Sequence, residues 1–316
     1  MTTNTPVVTA RPPAARSKTR SRTSPARRQQ NRAAYFFVAP FLLFFVLMLV
    51  IPLVYSGYLS VFREQLIGGL SFIGLDNYAR ALQDPEFLAG LGRVVLFLVV
   101  QVPIMLALAL LFALVLDSGR LRFARFIRLG IFLPYAIPGV IAALMWGYLY
   151  GQDFGPFAQV AQFFGLPAPQ FLSGQWMLAS IGNITTWSFV GYNMIIIFAA
   201  LRSVPEEQYE AATMDGAGPI RIAWSIKIPA VRPALILTVI FSVIGSFQLF
   251  TEPQLLKSIA PTVIDGAYTP NLYAYTLAFS RNELNYAAAV SFLLGFIIMV
   301  VSYVVQLSTQ RKERTR

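Results

Sequence analysis

The sequence predicts an all-α membrane protein with six transmembrane helices and a short helical segment outside the bilayer. Three observations carry that expectation. Of 316 residues, 56% are hydrophobic and only 12% charged, roughly half the charge of a soluble domain, and the mean hydropathy is +0.61. Several apolar runs reach the ~20 residues that cross a bilayer as a helix. Backbone groups in lipid must be satisfied internally, so such runs are helices, and the short alternating segments of a β-barrel are absent.

Residues 1–34 hold eight basic and no acidic residues among many Ser, Thr, Pro and Ala. This composition reads as a disordered, solvated cationic tail that helps to set topology. Nucleic acid or a specific lipid headgroup is the other reading, and no nucleic-acid partner is assigned. The tail is too long and polar for a signal peptide. The membrane domain follows over 35–308. Its spans are expected near 36–62, 91–116, 129–151, 176–201, 232–252 and 286–307. Pro103 is expected to kink the second. Pro134 and Pro138 in the third, and Pro233 in the fifth, mark breaks that neighbouring helices can re-satisfy. Residues 309–316 form a second basic tail.

Orientation follows from Lys and Arg. With the N-terminus inside, 20 of the 25 basic residues fall on the cytoplasmic side, leaving Arg63, Arg80, Arg93, Lys257 and Arg281 outside. That bias and the even span count predict a multi-pass membrane protein with both termini cytoplasmic. The net charge of +11 therefore reflects topology.

The chain has no Cys and no His. Disulfides, thiolate chemistry, the usual zinc sites and the commonest general base are excluded, and no metal or catalytic residue is assigned. A membrane enzyme would need clustered groups at the membrane face. Glu206, Glu207, Glu210 and Asp215 are the one candidate, at helical spacing and without His. An ion-coupled transporter or channel would need charges deep in the spans, where almost none occur.

Between spans four and five lies a polar segment, 203–231, expected in the cytoplasm. Ser203 with Glu206 fits a capping box that would start a short helix. Gly216 and Gly218 are expected to stop it, Pro219 to open a second helix, and Pro229 to close that one. Val204, Tyr209, Ala211, Ala212 and Met214 form a small apolar face, and Glu210 and Asp215 are free to pair with basic groups on a partner. An interfacial helix packed on its own chain is the alternative.

Glu210-Ala211-Ala212, Gly216, Ile226, Ile228 and Pro229 carry the spacing of a known signature. It resembles the EAA motif of bacterial ABC-importer permeases, with Ile228 in place of the usual Leu. The flanks VPEEQYEAATMDGAG, FIGLDNYARAL, LPYAIPGVIAALMW and NELNYAAAVSFLL resemble the carbohydrate branch, as in maltose and glycerol-phosphate importers. The likeness extends from about residue 35 to the C-terminus.

The resemblance implies the type I importer permease fold. It implies that Glu210, Ala211, Ala212, Asp215, Gly216, Ile226 and Pro229 form a helix docking on a cytoplasmic ATPase dimer. The sequence has no phosphate-binding G-x-x-x-x-G-K-[ST] loop, so ATP and Mg²⁺ are expected on that partner and no cofactor on this chain. The other implied partners are a second permease subunit, membrane lipid and an extracellular or lipid-anchored solute-binding protein. That protein would land on outer loops near 63–90, 152–175 and 253–285. By likeness to maltose permease, sugar contacts fall on Thr185, Ser188, Phe189 and Tyr192 in span four. In span five they fall on Ser242, Gly245 and Ser246, with Gln248 nearby. Small hydroxyls stand here where that permease has amides, which widens the implied substrate to a di- or oligosaccharide or related solute. The same hydroxyls could instead bond helix to helix. Glu252 is read as sitting at the wet boundary of span five, with a contact to a substrate hydroxyl as the other reading.

Overall fold

The computed structural model describes residues 25–65, 68–119 and 121–314. Residues 1–24 of the basic tail, 66–67, Arg120 and 315–316 lie outside the described residues. The chain divides into two units, Met1–Val54 and Tyr55–Arg316.

In the first unit, helix α1 (Pro25–Phe45) passes through a π turn (Val46–Val50) into helix α2 (Ile51–Ser60). Its side chains from Tyr35 onward are apolar and exposed almost throughout, as suits a lipid-facing span. Among the described residues helical backbone runs from Pro25, so residues 25–34 are helical where a disordered tail was expected. The Ala, Arg and Gln that follow Pro25 are strong helix formers continuous with the apolar run.

The second unit starts in the last turns of α2. A small hairpin follows, β1 (Phe62–Gln65) against β2 (Gly69–Phe72), with Phe62 opposite Phe72. Asn77, in helix α3 (Asp76–Gln83), donates to Ser60 O at 2.9 Å and Phe62 O at 3.0 Å and fixes the hairpin. Helix α4 (Pro85–Asp117) is the long axis of the unit. Asp84 caps it by accepting from the amides of Glu86 and Phe87.

The third span is not one helix. α5 (Ala124–Phe132) tightens into a 3₁₀ turn (Leu133–Ala136), and helix α6 (Gly139–Leu149) leaves at 98°. Ile137 precedes Pro138, and that ring drives it to extended backbone at φ −81°, ψ 127°. The two prolines therefore fold the span sharply instead of merely marking its ends. Helix α7 (Pro156–Phe163) and an irregular stretch lead to helix α8 (Met177–Leu201), which packs along α4 through Met105, Ala109, Ala113, Met194 and Ile197.

After helix α9 (Glu206–Met214), helix α10 (Pro219–Ile222), a π turn (Ala223–Lys227) and helix α11 (Ile228–Ala230) return the chain to helix α12 (Arg232–Phe247). The fifth span breaks at Gln248–Phe250 before helix α13 (Thr251–Leu256). The freed carbonyls find side chains: Thr269 donates to Leu249 O at 2.9 Å and Asn271 to Gln248 O at 3.3 Å. Helices α14 (Pro270–Phe279) and α15 (Leu284–Arg314) complete the unit. Helical backbone runs on to Arg314, through most of the expected C-terminal tail. Val94, Val243, Phe247 and Leu294 join α4, α12 and α15 in one core.

At the Asp84 end, α4, α14 and α15 are tied by one carboxylate. The phenols of Tyr273 and Tyr286 both donate to Asp84 Oδ2, at 2.6 and 2.7 Å. Arg281 pairs with Glu86 at 2.9 Å and Arg80 with Glu283 at 3.0 Å around them. Burial pushes the Asp84 carboxyl up. The two phenols and two amides outweigh burial and hold it below its ordinary 3.8. A lowered folded-state value means that this stabilisation is whole above about pH 3.8 and drains away as pH falls through the lowered value. Asp84→Ala is expected to cost about 2 kcal/mol or more, from the lost cap and two orphaned phenols. Thermal unfolding in detergent checks this, and the gap between variant and parent should narrow in acid.

Candidate functional site

A cavity of about 430 Å³ opens between α4, the 3₁₀ turn, α8 and the broken fifth span, within the usual size of a small-molecule site. From α8 come Thr185, Phe189, Tyr192 and Asn193. The fifth span supplies Phe241, Ser242, Gly245, Ser246, Gln248 and Glu252. The residues expected from the sequence, Thr185, Phe189, Tyr192, Ser242, Ser246 and Gln248, thus meet on one cavity. The spacing of 185, 189 and 192 sets one stripe of a helix facing inward. Ser188 falls outside the lining.

Local structure sets what each group can do. Thr185 donates its hydroxyl proton to Ile181 O and Gly182 O, and Ser246 donates to Ser242 O at 2.8 Å. Each hydroxyl spends its proton on its own helix and retains lone pairs, so a hydroxylated ligand would donate to them. Gln248 stands where α12 ends, one of three residues outside regular helix. Asn193 donates to Phe189 O at 3.0 Å, and its buried Oδ1 has no partner. The ring of Tyr135, on the 3₁₀ turn, stacks on Tyr192 at 4.8 Å and 19° and meets Phe189 edge-on at 5.9 Å. Together they make an aromatic wall. Glu252 lines the cavity and is the one carboxylate among its lining residues. No Lys or Arg lines the cavity among the described residues.

Other polar groups of α8 serve the bundle. Asn183 donates to Tyr150 Oη at 2.8 Å, Thr186 meets Gln101 at 3.2 Å, and Trp187 packs edge-on against Trp146. Phe97, Gln101, Met105 and Tyr135 also line the cavity, beyond the residues that the sequence pointed to. Gln101 carried a signal, being the one polar side chain deep inside the second apolar span, whose other polar residue, Arg93, lies at its edge. Tyr135 carried none, because the 98° bend puts it there.

The second candidate site is the loop after α8. Helix α9 forms as expected, but the capping box does not. Pro205 stands at its N-cap, and Ser203 instead donates to Ala200 O at 2.7 Å. The ring of Pro205 restricts the backbone just before the cap, and the carbonyls ending α8 take the serine. Gly216 adopts φ +80° and ends the helix, with Ala217 N bonded to Ala212 O. Gly218 has φ −73° and caps α10 instead of stopping α9. Pro229 sits in the first turn of α11 and does not close α10. The turn into α12 comes at Val231.

Glu210, Ala211, Asp215 and Gly216 are exposed, whereas Ala212, Ile226 and Pro229 are half-buried. Met214, Ile220 and Trp224, on the same loop, stand 88, 75 and 70% exposed. A groove of about 660 Å³ runs between the end of α4, α9 and the return of the loop from Pro219 to Lys227, lined in part by Asp117, Glu206, Tyr209, Glu210 and Met214. Burial lifts the Tyr209 phenol above its ordinary value, with Asp117 adding and Arg202 opposing. Its hydroxyl has no partner.

Residues 85–314 match the family described as binding-protein-dependent transport system inner membrane component. The lactose transport system permease protein LacF of Rhizobium radiobacter is 31% identical over 289 residues, covering 90% of this chain and 96% of that protein. The arabinooligosaccharides transport system permease protein AraP of Halalkalibacterium halodurans is 27% identical, covering 86% of each. The crystal structure of a bacterial ABC transporter that imports the acidic polysaccharide alginate shares the fold. Its TM-score is 0.80 at 19% identity, over 90% of this chain and 96% of that one. With its signature loop, its bundle and this match over most of its length, the chain belongs to the family of inner membrane components of binding-protein-dependent transport systems.

Proposed function

We propose that this chain is one of two permease subunits of an ATP-driven importer for a di- or oligosaccharide or related solute. The observation that carries the reading is the cavity between α4, α8 and the fifth span. It offers an aromatic wall, hydroxyl acceptors, an amide and one carboxylate, the groups that match a polyhydroxylated ring. The names of the relatives, lactose and arabinooligosaccharide permeases, support the substrate class.

The Asp117 end of the bundle then faces the cytoplasm, with both termini on that side. There α9, with Glu210, Ala211, Ala212, Asp215 and Gly216, docks on a separate ATPase dimer that holds ATP and Mg²⁺. Ile226 and Pro229 hold the return of the loop. The exposed apolar side chains Met214, Ile220 and Trp224, on the same loop as the exposed acids Glu210 and Asp215, suit a protein surface with basic groups. The opposite end, with the hairpin, α3, α7 and α14, receives the binding protein. The alginate importer has also been crystallised with alginate pentasaccharide-bound periplasmic protein.

Affinity purification of the tagged chain from its native membrane tests the assembly: a second permease and an ATPase should co-elute. A saccharide panel offered to the cognate binding protein then identifies the solute. Recovery of the chain without any ATPase, together with uptake that persists when ATP is depleted and an ion gradient maintained, overturns the reading in favour of an ion-coupled carrier. For the cavity, Tyr192→Ala is expected to raise the apparent KM of uptake about tenfold, the loss of roughly 1.4 kcal/mol of ring stacking. Ser188→Ala, outside the lining, should leave KM within about twofold.

A further inference from the structure

Asp117 is the last residue of α4, and its side chain is only 4% exposed. A carboxylate there faces the negative end of the helix dipole. A buried one is costly unless it is paired. The pairing is specific. Lys227 Nζ donates to Asp117 Oδ2, and Arg202 Nε lies 3.9 Å from Oδ1.

The two cations stand at the two roots of the loop that carries α9. Arg202 follows α8 directly, and Lys227 ends the π turn on the far side. Lys227 also lies 4.8 Å over the ring of Tyr209, on α9 itself. One carboxylate therefore gathers both ends of the loop and its inner face. On the other side, Asp117 is continuous with α4, whose Gln101 lines the cavity about 24 Å up the helix. Gln101 donates to Thr186, and Gly182 of α8 lets that helix close on Phe97 and Gln101. A close-packed pair of this kind carries displacement along its length.

We propose that Asp117 is the positioning residue that transmits movement of the α9 loop to the cavity wall, through Lys227 and Arg202 on one side and α4 on the other. This rests on the reading of α9 as the ATPase-docking helix. Movement of the docked partner moves α9. The Asp117 clamp makes the loop and α4 move as one body, and so turns docking into a change at the cavity.

The natural absence of Cys gives a clean test. Thr251→Cys puts a reporter thiol on the cavity lining. The chain is reconstituted with its ATPase, second permease and binding protein, and labelling of this chain by a membrane-impermeant maleimide is followed with and without ATP and orthovanadate. With Asp117 intact, trapping should change the labelling rate several-fold. Asp117→Asn keeps the shape and removes the charge. The ATPase should still co-purify and hydrolyse ATP, but trapping should change labelling less than about twofold. Lys227→Gln breaks the same pair from the other side and should behave alike, and the double variant should be no worse than either single one.

A retained several-fold response in Asp117→Asn overturns the proposal, as does one in Lys227→Gln if the first variant does not accumulate. Loss of ATPase association in these variants overturns it as well, since Asp117 would then maintain the docking surface and not transmit. An intact chain that binds its ATPase but shows no trapping response also overturns it. An intact chain that binds no ATPase sinks the underlying reading of α9, and the two failures are told apart at that step.

Discussion

Glu210→Arg is expected to reduce ATP-driven uptake at least 100-fold while the chain still inserts and folds. Glu210 is exposed on α9 and makes no ion pair among the described residues, so the bundle does not depend on it. Met214 lines the same groove as Glu210, and Ile220 and Trp224 on the same loop are also apolar and exposed, while Asp215 adds a second negative charge. A surface of that kind awaits a partner, and basic groups on the partner would meet Glu210. Reversing the charge replaces an attraction by a repulsion, an effect on the order of several kcal/mol in a desolvated contact, or at least about 100-fold in association. Gel filtration in detergent should give an unchanged elution and thermal midpoint for the variant. The ATPase should be lost from the co-purified complex. Normal uptake with the ATPase still bound would remove α9 from the coupling role.

Local chemistry makes the all-α class, the spans and the signature loop legible in the sequence: apolar length, charge asymmetry, and glycine and proline at fixed spacings. Gly216 ends α9 because a φ of +80° is needed there, a local demand that glycine meets. Ser203 departs from its expected cap because its hydroxyl has two partners within reach. The capping partner lies ahead in sequence, yet the Ala200 carbonyl behind is already in place at the end of α8.

The cavity residues divide in the same way. Thr185, Phe189 and Tyr192 share one helical stripe, so a single-helix argument brings them together. Tyr135 and Asp117 join their sites through the bend after Ile137 and through pairing over 110 residues of sequence, and no periodicity reports either. The hairpin β1–β2 leaves little pattern, being built of strands only four residues long.

Gly191→Val is expected to be the most destabilising single change in the bundle, and the reason lies in backbone contact. A Cβ at position 191 would stand 2.1 Å from Ile131 O, 2.7 Å from Ile131 C and 2.7 Å from Phe132 Cα. These are backbone atoms at the end of α5, where no side chain can rotate away. Even Gly191→Ala must push α8 off the bent span, and overpacking of this kind costs about 1–3 kcal/mol. Valine adds two methyl groups to the same gap and should exceed that range, to the point where little monodisperse protein is recovered. Position 191 adjoins Tyr192, whose ring stacks on Tyr135 just beyond the contact. Forcing the elements apart therefore also dismantles the aromatic wall. Small residues at helix contacts in membranes serve such close approach. Gly130→Ala is the control, since a Cβ there meets nothing within 4 Å and alanine favours the helix by up to about 1 kcal/mol. Thermal unfolding of the purified chain in detergent should place Gly130→Ala at or above the parent and Gly191→Ala below it. Equal midpoints for the two alanine variants would show that α8 and α5 do not touch at Gly191.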